Sequence, residues 1–166
     1  MEKATPSEIK DTNGIHDVIR LRGAFRLALK DPDGKIIEER IINNLVVLGG
    51  RSWVLGQLET TNQATAQTVS YMGIGSGTVA PVTGNTALGN EVTRKAIASF
   101  DTSQLTANPP SWTAQLTFAT SDANTTLGEC AMFNSSAIGT MLNRATFASF
   151  VKATSNTLAI SFTISA

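Results

Sequence analysis

Three glycines at alternate positions, Gly73, Gly75 and Gly77 in YMGIGSGTVAP (71–81), follow directly on an apolar run. Glycine-rich turns after strands are where backbone N–H groups cradle phosphates. A phosphate loop of that kind needs a lysine and a Ser or Thr opening a helix, and a dinucleotide site needs G-x-G-x-x-G inside a βαβ unit. Here the spacing is G-x-G-x-G, no lysine follows, and Pro81 blocks a helix. Nucleotide binding is therefore excluded. A side-chain-free stripe on one face of a strand end instead invites close approach, and the expected occupant is Trp53 or a neighbouring subunit.

Other reactive groups are sparse. The single cysteine, Cys130, lies among apolar residues in LGECAMF, and the single histidine, His16, lies far from it in a polar N-terminal stretch. A buried structural thiol is expected rather than a Cys–His nucleophile. No His, Cys and carboxylate cluster has zinc spacing, and DPDGKIIEE lacks calcium-loop spacing, so no metal or cofactor is expected. Five acids follow residue 51, namely Glu59, Glu91, Asp101, Asp122 and Glu129. They are scattered, and no pair stands out for general acid–base work. The expectation is a protein without enzymatic activity.

One polar pair does stand out. Glu129 and Arg144 are equidistant from the centre of NSSAIG (134–139). If the flanking segments form a hairpin, the two side chains come within cross-strand reach. A subunit contact is one reading. An intrachain ion pair over a polar sheet face is the other, and it is favoured.

The elements that must position these residues read mostly as strands. FRLALK and KIIEER flank DPDG, where Pro32 presets one backbone angle and Gly34 takes a left-handed one, so 23–43 is expected to be a hairpin. Leu45, Val46 and Val47 end a strand, and Trp53, Val54 and Leu58 share one face of a short helix. VSYMGIG is a strand. TGNTALGNEV suits a single helical turn with Thr86 near its start. TRKAIASFDTS and PSWTAQLTFATS are strands joined through QLTANPP. LGECAMF and TMLNRATFASFV form the hairpin around NSSAIG. In TLAISFTIS, Leu158, Ile160, Phe162 and Ile164 alternate with Ala159, Ser161, Thr163 and Ser165, the pattern of a half-buried antiparallel strand. The fold class expected is all-β, an antiparallel β-sandwich of jelly-roll or immunoglobulin-like kind with one or two short helices. Residues 1–22 read as an N-terminal arm and 23–166 as one sandwich domain, made of the hairpin 23–43 and a core over 45–166.

The chain has 166 residues and no net charge, so no whole-chain field attracts nucleic acid or an anionic membrane. Residues 1–51 carry 17 of the 26 charged side chains, leaving the rest rich in Ser, Thr, Ala and Gly. Such hydroxyl-rich surface suits packing against other chains, because burying a hydroxyl costs less than burying a charge. No apolar stretch reaches the length of a membrane span, and the start lacks the apolar core of a signal peptide. Synthesis in a cytoplasm is expected.

The order of several short motifs resembles a family of tailed-bacteriophage virion proteins. The resemblance runs over 45–166. A strand ending GxGxGTxxP leads through a TAL…E turn into a strand with a basic residue, and a hairpin of type E…F(N)…GTML.R..F follows. Gly73, Gly75, Gly77, Pro81, Thr86, Ala87, Leu88, Glu91, Arg94, Glu129, Phe133, Gly139, Thr140, Met141, Leu142, Arg144 and Phe147 carry it. The resemblance implies a capsid decoration or cement subunit on the outer capsid surface of the virion, made in the host cytoplasm. It implies the major capsid protein and further copies of the chain as partners, as a trimer or a dimer. A tail, neck or fibre-attachment component is the alternative. The chain ends at FTISA, directly after its last strand, which slightly favours decoration. A carbohydrate- or receptor-binding module is a third class, drawing on Tyr71, Trp53 or Trp112. On these readings Arg20, Arg22 and Arg26 meet acidic capsid patches from the arm. Gly73, Gly75, Gly77, Glu129 and Arg144 join them as candidate assembly contacts.

Overall fold

The computed structural model describes residues 20–57 and 68–166. Its described residues form two five-stranded antiparallel sheets packed as a β-sandwich, with one short helix. The expected fold class is thereby met.

The first elements among the described residues are the hairpin of β1 (Arg22–Lys30) and β2 (Ile36–Asn43), as read from its turn residues. Asp31 organises the turn: its Oδ1 accepts from the Asp33 and Lys35 amides, and Gly34 takes a φ of 80°. Two residues of β3 (Leu45–Val46) lead into α1 (Leu48–Gly56), which contains Trp53 and Val54 as expected. Leu58 lies outside the described residues. Arg22, expected at the end of an arm, is already paired with Ser165 in β1, and residues 1–19 lie outside the described residues.

β4 (Tyr71–Gly75) is followed by a loop over 76–90 and by β5 (Glu91–Ala96). The helical turn expected at Thr86 is absent from that loop. Nor is 93–103 one strand: after β5 the chain crosses to the other sheet as β6 (Ser99–Asp101). β7 (Ser111–Phe118), β8 (Thr126–Phe133), β9 (Met141–Val151) and β10 (Thr157–Ser165) complete the sandwich. One sheet runs β2-β1-β10-β7-β6 and the other β3-β9-β8-β4-β5.

The core lies between the sheets. Phe25, Leu27, Leu29, Phe118, Leu158, Ile160 and Phe162 face Met72, Ile74, Leu127, Cys130, Met132, Leu142 and Phe150. The hairpin is thus an integral part of the core, with β1 bonded to the C-terminal strand along its whole length. Phe25 and Phe162 are register partners with ring centroids 4.8 Å apart. A second, smaller cluster of Val47, Leu88, Ala131, Phe133 and Met141 covers the other face of the β3-β9-β8-β4-β5 sheet. That sheet is apolar on both faces, so β8 reads as a nearly continuous buried run rather than an alternation.

Candidate functional site

The motif residues converge on that covered face. Paired residues of antiparallel strands point to the same side, so the registers define two rows across the sheet. One row is Arg94–Gly73–Ala131–Arg144–Leu45, and the other is Glu91–Gly75–Glu129–Thr146. Gly73 and Ala131 leave room between two arginines. The register slip between Leu127 and Glu129 resets the alternation of β8, and the slip between Met132 and Phe133 inserts Leu142 as an extra residue on β9. Leu127, Cys130 and Met132 therefore face the core while Ala131 and Phe133 join the outer cluster.

Glu129 and Arg144 stand diagonally, two residues apart in register, and form an intrachain ion pair as favoured. The pair is not spread over a polar surface, however. Glu129 is 0 % exposed and Arg144 only 3 %. Arg144 Nε donates to Glu129 Oε2 at 2.9 Å, and Nη2 lies 2.7 Å from the same oxygen in a charge contact. The Gly89 amide donates to Oε2 at 2.9 Å, and the Gly77 and Asn90 amides donate to Oε1 at 3.0 and 2.7 Å. Arg144 Nη1 donates onward to Asn85 Oδ1 at 3.0 Å, and the Val82 amide donates to that same oxygen. One carboxylate thus ties both ends of the 76–90 loop to the sheet.

Four hydrogen bonds fill the lone-pair positions of the carboxylate, which suits a clamp and not a proton carrier. Burial is the largest single influence on Glu129 and acts to raise its pKa. The Asn90 and Gly89 amides and Arg144 together outweigh it and hold the carboxyl below its ordinary value of 4.5.

The glycine stripe is filled from within the chain. A methyl group on Gly73 would come within 2.9 Å of the Phe133 ring and 3.2 Å of Leu88. On Gly75 it would collide with the Asn90 carbonyl and Glu129, and on Gly77 with the Glu129 carboxylate. The occupants are Leu88, Phe133, Asn90 and Glu129 and not Trp53, because the loop folds back over the stripe. Gly73, Gly75, Gly77, Glu129 and Arg144 are therefore engaged in contacts within the subunit. Arg94, which the motifs single out without a role, lies 3.4 Å over the Phe133 ring and donates to the Ser135 and Ile138 carbonyls. It fixes the β8–β9 turn, where Gly139 has a φ of 73°.

The three arginines at the start of the described chain are exposed. Arg26 Nη2 lies 2.5 Å from Glu39 Oε1 on the adjacent strand. Cys130 is buried, as expected, and burial with the neighbouring Glu129 charge pushes its thiol well above the ordinary range. His16 lies outside the described residues. Among the described residues, no three His, Cys, Asp or Glu side chains group to hold a metal. No helix among them is long and apolar enough to cross a membrane.

Sequence reasoning missed two features. Lys152, only 1 % exposed, donates from Nζ to Asn124 Oδ1 at 2.8 Å beside the Lys95–Asp122 ion pair. Burial lowers its pKa while the Asp122 charge opposes this. Nothing in the local pattern of VKATS announces a buried lysine. The other is an apolar cavity of about 890 Å³ at one end of the sandwich, lined by Trp53, Tyr71, Ile97, Phe100, Trp112 and Ile164 among others. The three aromatics considered for ligand recognition meet there. Trp112 also packs edge-on against Phe100 and Phe162, with centroids 5.8 and 5.9 Å apart.

The other sheet turns an open face outward. Ser161, Thr163 and Ser165 of β10 stand beside Gln115, Thr113 and Ser111 of β7, and the Thr113 and Thr163 hydroxyls are 2.8 Å apart. Arg22 and Arg26 border this uncharged field from β1. A shallow depression of about 220 Å³ lies over Arg26, Gln115, Thr117, Ala159 and Ser161.

No family model, no curated protein and no solved structure matches the chain.

Proposed function

We propose that the chain is a structural subunit of a tailed-bacteriophage particle, a decoration protein that binds the outside of the head shell. It acts by packing, against the major capsid protein and against other copies of itself, without a catalytic step. The observation that carries this reading is the ordered succession of motifs over 45–166. Those motif residues share one job in the fold, since the glycines, the TAL…E loop, Glu129, Phe133 and Arg144 lock together on one sheet face.

The open sheet offers the kind of surface the reading requires. Serines, threonines and a glutamine on β7 and β10 lie flat and uncharged, so contact with another protein desolvates hydroxyls rather than ions. Arg22 at its border supplies a charge for an acidic patch on a shell, while Arg26 beside it is paired with Glu39. The Thr113 and Thr163 hydroxyls also hydrogen-bond to each other.

Copy number tests the proposal. Quantitative gel analysis of purified particles is expected to give on the order of hundreds of copies, as a subunit repeated over a closed shell requires. A count matching a single ring at the tail or neck would replace decoration by the tail reading. Absence from particles would end both. Deleting residues 1–22 and measuring binding to undecorated shells addresses the arm separately, with weaker binding expected and unchanged affinity removing the arm from the interface.

A further inference from the structure

Strand β2 closes its sheet: on one side it is bonded to β1, and no strand among the described residues pairs with its other side. An unpaired edge of eight residues is a template for another strand, and proteins commonly blunt such edges with bulges and inward charges. β2 has both devices, a bulge at Ile37 and the pair Glu38 and Arg40 on its inward side. It also keeps apolar side chains in solvent, with Ile37 at 52 % and Ile41 at 73 % exposure. Those residues do not guard an edge; they suit a partner.

The sequence of the strand says which partner. Ile36-Ile37-Glu38-Glu39-Arg40-Ile41-Ile42 is nearly symmetric in chemistry about Glu39. We infer that β2 pairs antiparallel with β2 of a second copy of this chain about a two-fold axis through Glu39, joining two sheets into one of ten strands.

In that register Glu38 of each copy stands opposite Arg40 of the other, giving two cross-strand ion pairs on the inward side. Within one chain these two side chains already bind each other, so the pairing joins two intrachain pairs into a four-charge network. Ile41 of each copy meets the Ile36–Ile37 end of the other, which covers the exposed isoleucines. The two Glu39 side chains oppose each other at the axis, but each is already bound by its own Arg26. In a second copy each of these charges also meets its opposite across the axis, so the inward pair favours another copy of this chain over a strand without that charge order. A two-fold contact of this kind is isologous, with the same patch used by both copies.

This inference deepens the self-association in the proposed function and rests on that reading only there, because the pairing is a solution property that needs no shell. Sedimentation of the full chain is expected to move from the mass of one chain to that of two as concentration rises toward about millimolar, since a strand-edge contact is small. Arg40→Glu places Glu against Glu twice and is expected to weaken association at least about ten-fold. The double swap E38R/R40E restores opposite charges both within and between chains and is expected to recover it. Mild oxidation of Glu39→Cys is expected to yield a disulfide-linked dimer, whereas Ile41→Cys, which faces a different residue, is expected not to. Thermal melting of each variant separates misfolding from lost pairing.

A monomer at all concentrations would overturn the inference. So would undiminished association of Arg40→Glu in a folded variant, failure of the double swap to restore what the single swap lost, or equal cross-linking at both cysteine positions. A dimer that passes these tests but is absent from particles would leave the pairing standing and remove the phage reading alone.

Discussion

The two sheets of the sandwich have the same number of strands but treat their outer faces in opposite ways. The β2-β1-β10-β7-β6 sheet buries one face and leaves the other to solvent, so β10 alternates strictly between core and surface. The β3-β9-β8-β4-β5 sheet is buried on both faces along β4, β8 and the first half of β9, and its second covering is a loop instead of a third sheet. A loop laid on a sheet brings backbone amides that must be satisfied away from water. Glu129 satisfies three of them and is itself neutralised by Arg144. The lesson is that a charge pair can serve as the fastening of an apolar layer, holding in place a segment too short to make its own core.

The comparison breaks most sharply if that fastening is removed. Arg144→Ala leaves Glu129 buried with its charge uncompensated, and the expected loss is about 3–5 kcal/mol of unfolding free energy. Denaturant titration followed by tryptophan fluorescence measures it, and a loss under about 1 kcal/mol would show that the loop is held by its apolar contacts alone. Next in size is Gly75→Val. Its added carbons meet the Asn90 carbonyl and Glu129, so the loop must lift, at a cost of about 1–3 kcal/mol. Amide hydrogen exchange of Gly89 and Asn90 in that variant is expected to quicken while that of β10 is unchanged.

Acid sharpens the comparison with a sign rather than a size. The folded-state pKa of Glu129 lies below its unfolded value, so its contribution is fully present above 4.5 and is lost as pH falls through the folded value. Stability of the native chain is expected to fall more steeply below pH 4.5 than that of Glu129→Gln, with the two slopes equal near neutrality. The smallest effect belongs to the open face. Thr113→Ala removes an exposed hydroxyl contact and is expected to shift stability by no more than about 0.5 kcal/mol, while any role of that face in assembly appears as weaker particle binding.

What could be read in advance follows the same division. The open sheet was legible because its alternation is local: FRLALK, SWTAQLTF and TLAISFTIS each carry the period-two pattern, and DPDG sets the hairpin. The covered sheet was legible only in outline. The Glu129–Arg144 pair follows from symmetry about NSSAIG, but its burial does not, since nothing near either residue shows that a loop whose bonded amides lie 39 to 52 positions before Glu129 closes over it. The helical turn expected at Thr86 fails for the same reason. The amides of Gly89 and Asn90 are turned toward a distant carboxylate, which a local propensity does not register.

By itself, then, the sequence determined most of the strands but not the break between β5 and β6, along with the turn at 31–35, the inward faces of β7 and β10, and the lack of a phosphate-loop pattern at Gly73, Gly75 and Gly77. These depend on side-chain alternation and on backbone freedom, which act over a few residues. Only the tertiary structure decided that β5 and β6 belong to different sheets, that the slip between Leu127 and Glu129 turns Ala131 and Phe133 away from the core, and that the glycine stripe receives Leu88, Phe133 and Glu129 of its own chain. Those outcomes turn on which surfaces meet, and that is set by packing between segments far apart in the chain.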